Sequence, residues 1–245
     1  MSEQIFRPYL GSGKVYGRIV GSAAPLRELG NVSELKIKTE EDVKELTDNT
    51  SSGGGTYAEV RRVKSASASM TLHDLNRANL AMALRAASET VASGTVTDEP
   101  QTAYQSGLVR LAHPQPTSVV VTDTGGSTTY VEGTDYEVRQ GGVFILDGSI
   151  TDGTAIKVSY AHAGYDVIEA LTESTQELEL SFDGMNEADS DKPVVVDIYK
   201  LSLAALGELS LIGDDFGGLA LEGKLLKDLS KTGSGKSKYF KVSQQ

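Results

Sequence analysis

The chain has 245 residues, no cysteine, no tryptophan and a net charge of −11. That is enough chain for one large or two small domains with a full core. The cysteine count excludes a disulfide scaffold, a thiolate metal site and a cysteine nucleophile, and the acidic balance argues against a protein that grips nucleic acid through its phosphates. The first residues, MSEQIFRPYLG, lack the charged start and apolar stretch of a signal peptide. No apolar run approaches the roughly 20 residues that span a bilayer. A cytoplasmic product without membrane insertion is expected.

In chain order, the first strand signal is SELKIKTEED, where Leu35 and Ile37 alternate with Glu34, Lys36 and Lys38. Residues 40–60 then read as a long mobile loop whose glycine triplet, Gly53 to Gly55, resists a fixed conformation; loops of that length are usually functional or disordered. In SASASMTLHD, Ala66, Ala68, Met70 and Leu72 face one side, and Ser65, Ser67, Ser69 and Thr71 the other. A helix is predicted over 75–89, capped by Asn76, with a stripe of Leu80, Ala83, Leu84 and Ala87.

Residues 100–163 read as a separate all-β module. Short strands (TSVVVT, TTYVEGTDYEV, GVFILDG, TAIKVSYA) are divided by turn signals, with Pro100 and HPQP at one boundary and AGYD at the other. Strands of the first kind resume in QELELSFDG, PVVVDIYKLSL and GGLALEGKLL. The domain boundaries predicted are therefore 1–99, an insert at 100–163, and 164–245. The last stretch, 222–245, holds six lysines against Glu222 and Asp228, a basic arm on an acidic body that is suited to pairing with another copy or to solubility.

No catalytic constellation emerges, and no enzyme activity, cofactor or metal is expected. TGSGKS at 232–237 resembles the end of a phosphate-binding loop, but Ser230 stands where its first glycine is required, and too few residues follow for the helix; it reads instead as a flexible Gly/Ser/Lys linker leading into a short terminal strand. His73, His113 and His162 have no paired spacing, although His113 and His162 fall at the two ends of the insert and could be neighbours. MNEADSDK at 185–192 and DGSITDG at 147–153 fall short of a calcium loop and read as solvated acidic turns.

Residues 30–84, with the alternating strand, the EDVKEL segment, the glycine-rich loop, VRRVKS, and MTLHDLN leading into a helix, resemble the major tail tube proteins of long-tailed (siphovirus-type) bacteriophages. The strands at 165–245 fit the rest of that domain, and the insert resembles the extra Ig-like β module that some of these proteins carry. The resemblance implies a mainly β fold with one α-helix (α+β): a tail-tube sandwich or barrel with a small inserted all-β module. It also implies a structural virion protein, assembled in the host cytoplasm, whose hexameric rings stack into the conduit for DNA ejection.

The partners implied are further copies of the chain, the tape measure protein, the tail terminator and tail-tip or baseplate proteins, with DNA passing unbound. On this reading the inter-ring stacking loop is Asp48, Asn49, Thr50, Ser51, Ser52, Gly53, Gly54, Gly55, Thr56 and Tyr57. The C-terminal arm makes contacts through Lys231, Lys236, Lys238, Tyr239, Phe240 and Lys241. An acidic lumen would be lined by the polar faces carrying Glu177 and Glu179, or Ser65, Ser67 and Ser69. Two alternatives stand beside it: a cytoplasmic or secreted β-sandwich binding module (an adhesin or carbohydrate binder), disfavoured by the scattered tyrosines and absent tryptophan, and a secretion-system tube protein of the same architecture.

Overall fold

Period-two alternation forces extended chain, because successive side chains of a strand leave on opposite faces. The computed structural model describes residues 7–50 and 52–245. In chain order it contains β1 (Gly11–Ile19), β2 (Arg27–Glu28), β3 (Val32–Thr47), β4 (Thr56–Leu72), helix α1 (Arg77–Ala83), β5 (Ala87–Val91), β6 (Gly94–Ala103), β7 (Leu108–Arg110), β8 (Thr117–Asp123), β9 (Thr129–Tyr130), β10 (Tyr136–Arg139), β11 (Gly142–Ile145), β12 (Thr154–His162), β13 (Tyr165–Glu169), β14 (Glu177–Asn186), β15 (Lys192–Leu203), β16 (Leu219–Leu225) and β17 (Phe240–Gln244). The fold is mainly β, with one α-helix among the described residues. Among the described residues no helix is long and apolar enough to cross a membrane. Two compact units result: Met1–Ala87 with Ile168–Gln245, and Ser88–Val167.

The first unit is built on a sheet of order β2-β1-β14-β15-β16-β4-β3. Strand β15 is long enough to carry β14 along one edge and two strands along the other. Leu201–Leu203 pair with β16, while Val194 to Ile198 pair with β17. The apolar faces of these strands meet in one cluster that includes Val15, Ala68, Met70, Leu72, Leu180, Ile198, Leu201 and Leu221. Leu35 and Ile37 of β3 pack against the same cluster as Val15 of β1, so the sheet curls around its own core. Each fully buried Leu or Ile contributes about 1.5–3 kcal/mol.

Helix α1 closes onto this core through Ala83. Asn76 caps it by accepting a bond from the Asn79 amide. The buried Asn79 side chain donates through Nδ2 to the Leu29 and Asp74 carbonyls, each at 2.8 Å. The helix is shorter than the predicted 75–89. It stops in a Schellman closure, with the Ala86 amide bonded to the Ala81 carbonyl and the Arg85 amide to Met82. Arg85 occupies the left-handed position at φ 47°, where a glycine usually announces the stop. Ala87, assigned to the apolar stripe, is instead the first residue of β5.

The second unit packs a sheet of order β6-β12-β8-β9 with a three-stranded sheet of order β10-β11-β7. Val121, Ile156 and Val158 of the first share a core with Val109, Val143 and Ile145 of the second, the arrangement of a small two-sheet sandwich. Pro100, read as the unit's boundary, lies within β6 opposite Lys157. Because β6 is an edge strand, the missing N–H of a proline is tolerated there, and the unit runs from Ser88 to Val167 rather than 100–163. Strands β5 and β13, which pair with each other, carry the chain out of the first unit and back.

Candidate assembly surfaces

Strands β3 and β4 stay paired from Val32↔Leu72 out to Thr47↔Thr56. Strand β16 flanks β4 only as far as Ser67, so the outer part has no third strand. From Glu41 to Thr47 and from Thr56 to Lys64 every residue is exposed. Within this two-stranded ribbon Val43, Leu46, Tyr57, Val60 and Val63 are 40–68% exposed. Arg61 holds Glu41 at 3.7 Å and also pairs with Glu59, whose carboxyl its hydrogen bond keeps below the usual range.

The ribbon corrects the expected long loop. Among the described residues the ladder is interrupted only between Thr47 and Thr56, where the Asp48 amide bonds the Gly55 carbonyl at 2.7 Å and Gly54 and Gly55 take φ +63° and +121°. Thr50 caps back onto Asp48 at 2.8 Å. Ser51 lies outside the described residues. A ribbon wet on both faces needs no apolar alternation, which is why EEDVKEL gave no strand signal.

All five residues proposed for a lumen lie on one face of the large sheet, opposite its core. Cross-strand register aligns Glu177, Ser202, Lys224, Ser67 and Lys38 in a row over five strands. Ser69 stands between Lys36 and Glu222, and Ser65 opposite Glu40. Glu179 faces Arg18 at 2.7 Å and Glu177 faces Lys200 at 3.6 Å. Lys38 and Ser65 hydrogen-bond Glu40 and hold its carboxyl below the ordinary value. The face is therefore charge-mixed rather than acidic: opposite charges on neighbouring strands pair across the ladder, a relation that no single strand's sequence displays.

The C-terminal stretch is not a free arm. Strand β17 lies on β15, with Lys241 3.1 Å from Asp197, whose hydrogen bond raises the Lys241 ammonium. Tyr239 and Phe240 pack against the core, and the Lys231 ammonium sits 4.6 Å from the centre of the Tyr199 ring. Lys236 and Lys238 are exposed in the turn before β17. The GSGK of this stretch forms turns and leads into a strand, without the helix a phosphate loop needs.

His113 and His162, from opposite ends of the predicted insert, stack with centroids 3.9 Å apart and planes within 3°. His113 Nδ1 bonds the Tyr165 hydroxyl at 2.9 Å, and His162 Nδ1 bonds the Ala163 carbonyl at 3.0 Å. Parallel rings direct their lone pairs in parallel planes, so the pair does not converge on one ion. Among the described residues no group of three or more His, Asp or Glu is placed to hold a metal. The acidic turn at 185–192 is a short 3₁₀ turn capped by Asn186, with Asp189 bound by Lys192 at 3.1 Å. In the other, Asp147 and Asp152 accept bonds from Ser106 and Gln105.

Outside the sheet's interior, two backbone edges stay open. Among the described residues β3 pairs with β4 alone, and β2 covers β1 only at Tyr16 and Gly17. The features that distinguish this mainly β protein are thus an exposed ribbon, open edges and a charge-mixed sheet face. The chain belongs to the family described as Protein of unknown function UCP028589, which it matches over residues 8–243. No curated protein matches it.

Proposed function

We propose that this chain is the tail tube subunit of a long-tailed bacteriophage, a structural virion protein whose copies close into rings that stack into the conduit for DNA. The observation that carries the reading is the β3–β4 ribbon. A two-stranded ribbon alone in water is marginal, and this one exposes apolar side chains on both faces and an unpaired edge along β3. Such a ribbon gains most by lying against other copies, which cover its valines and pair its edge. Repeated head-to-tail contacts between identical chains give rings and filaments.

Two further features support it. The charge-mixed sheet face presents no basic stripe to capture phosphates, as a wall past which DNA slides requires. The second unit, read as an Ig-like insertion, has its own core and fits a decoration on the tube. On this reading the ribbon tip, residues 48–57, reaches the next ring, and the tape measure, terminator and tail-tip proteins are partners.

The test is electron microscopy and light scattering of the purified chain, beside a variant in which residues 42–62 are replaced by Asn-Gly, closing Glu41 onto its cross-strand partner Val63. The intact chain is expected to form uniform tubes or stacked rings, alone or on tail-tip complexes. The shortened chain should stay folded and monomeric. Tubes of normal length from the shortened chain would remove the ribbon from the interface, and an intact chain that never assembles would overturn the reading.

A further inference from the structure

Between β15 and β16 the chain makes a long excursion, GELSLIGDDFGG over residues 207–218. Among the described residues this segment makes no backbone–backbone hydrogen bond. Leu209 anchors its start against the core, but its other large apolar side chains lie in solvent: Leu211 is 83% exposed, Ile212 96% and Phe216 98%. Asp214 and Asp215, between them, take part in no ion pair with any described residue. Loops of this length are usually functional, and three nearly bare large apolar residues within six positions are a contact waiting for a surface.

The same unit carries a matching recess. Between β1, β2 and α1 lies a pocket of about 480 Å³ lined by Ile19, Pro25, Leu29, Ala78, Ala81 and Met82, beside Arg18 and Glu28, whose charges are already met by Glu179 and Lys14. Arg27 stands at its rim, exposed and without an ion pair to any described residue. No residue of the 207–218 segment lines it. An apolar knob with an acidic pair and a largely apolar recess with an exposed arginine are complementary in shape class and charge; the chain enters the segment beside α1, where the Leu206 amide bonds the Ala83 carbonyl, yet no knob residue occupies the recess. A patch whose complement is elsewhere on the same chain makes a heterologous contact, which propagates from copy to copy.

We propose that residues 207–218 of one copy seat Ile212 and Phe216 in the β1–β2–α1 pocket of a second copy, with Asp214 and Asp215 against its Arg27. This rests on the self-assembly reading and names one of its interfaces. Buried aromatic anchors in such pockets commonly dominate an interface, with truncation costing on the order of tenfold or more in affinity. The segment's own chain anchors only its two ends, through Leu209 on the core and the Gly217 carbonyl at His73 Nδ1; the seating orders the apolar middle between them.

The native chain is free of cysteine, so a double variant, Ile212→Cys with Ala78→Cys, reports the contact by disulfide formation. After mild oxidation of the assembling protein, a non-reducing gel should show a ladder of dimers, trimers and higher multiples that collapses on reduction. A fast-migrating single-chain product without a ladder would place the segment in its own pocket and overturn the proposal. Tubes that form without a ladder would overturn it while leaving self-assembly standing; neither tubes nor ladder would sink both. A second variant, Phe216→Ser, changes a side chain in solvent and should keep the fold by circular dichroism. It is expected to slow assembly on the order of tenfold or more, and assembly at the unaltered rate would count against the contact.

Discussion

Gly223 sits buried in β16 between Leu221 and Leu225. A Cβ there would stand 2.5 Å from the Ser202 carbonyl oxygen and 2.9 Å from Leu201 Cδ1. The first of these is backbone of the paired strand and cannot swing aside. Gly223→Ala should therefore destabilise the first unit by about 1–3 kcal/mol, as overpacking does, seen as a lower urea midpoint at unchanged slope. Asn79→Ala acts by the opposite route. It removes the donor for the Leu29 and Asp74 carbonyls, one of them deeply buried, and should cost a further, independent 1–3 kcal/mol or so. In the second unit Tyr160 donates to Glu99 at 2.6 Å. Burial first, and that bond to a carboxylate second, push its hydroxyl from 10.0 up to about 12. A raised value favours the protonated form in the fold. The stability it contributes is complete below pH 10 and is lost as pH rises from 10 through 12. Burial also raises the Tyr136 hydroxyl, so absorbance at 295 nm should show late-ionising tyrosines whose amplitude falls by one residue in Tyr160→Phe; loss of the early step instead would refute the assignment.

At the scale of elements, legibility followed burial. Ala66, Ala68, Met70 and Leu72 are buried as their alternation requires, as are Leu178 and Leu180, because one wet and one dry face imprint period two on a strand. The outer ribbon, wet on both faces, left no such imprint. The helix start was legible at Asn76, but its stop rests on Arg85 in a conformation that sequence assigns to glycine. Pro100 read as a boundary because a proline's place on an edge strand depends on the neighbours. Among the candidate surfaces, the shared face of Glu177, Glu179 and the three serines follows from register across strands distant in sequence, which no local pattern contains. The same holds for β17. The short terminal strand after the glycine-rich linker was legible, but its docking was not: Phe240 packs on the core and β17 covers half an edge of β15. A chain ending at Lys238 should therefore lose on the order of 2 kcal/mol of stability from the apolar contacts alone and expose the β15 edge to aggregation. Thermal unfolding with light scattering checks this; an unchanged midpoint would mean that the strand is dispensable.

At the scale of the whole molecule, the two units have separate cores and should unfold as separate cooperative steps. The chain's two passages between them lie side by side where they leave the first unit. The Leu171 amide bonds the Leu84 carbonyl at 2.9 Å, and the Ala87 amide bonds Thr172 Oγ1 at 2.8 Å. Ends held this close can be joined by a short flexible link without straining the sheet, and exposed junctions of this kind are where domain insertions succeed. Excising residues 88–167 and linking Ala87 to Ile168 should then leave the first unit folded with one unfolding transition, and the excised piece should fold alone. Every surface invoked for assembly, namely the ribbon, the open edges, the 207–218 segment and the pocket between β1, β2 and α1, belongs to the first unit. If the proposed self-assembly holds, the linked chain is expected to assemble as the intact one does, giving assemblies of lower mass per subunit by electron microscopy and light scattering. If the linked chain folds and remains monomeric where the intact chain polymerises, the second unit is part of the interface rather than decoration.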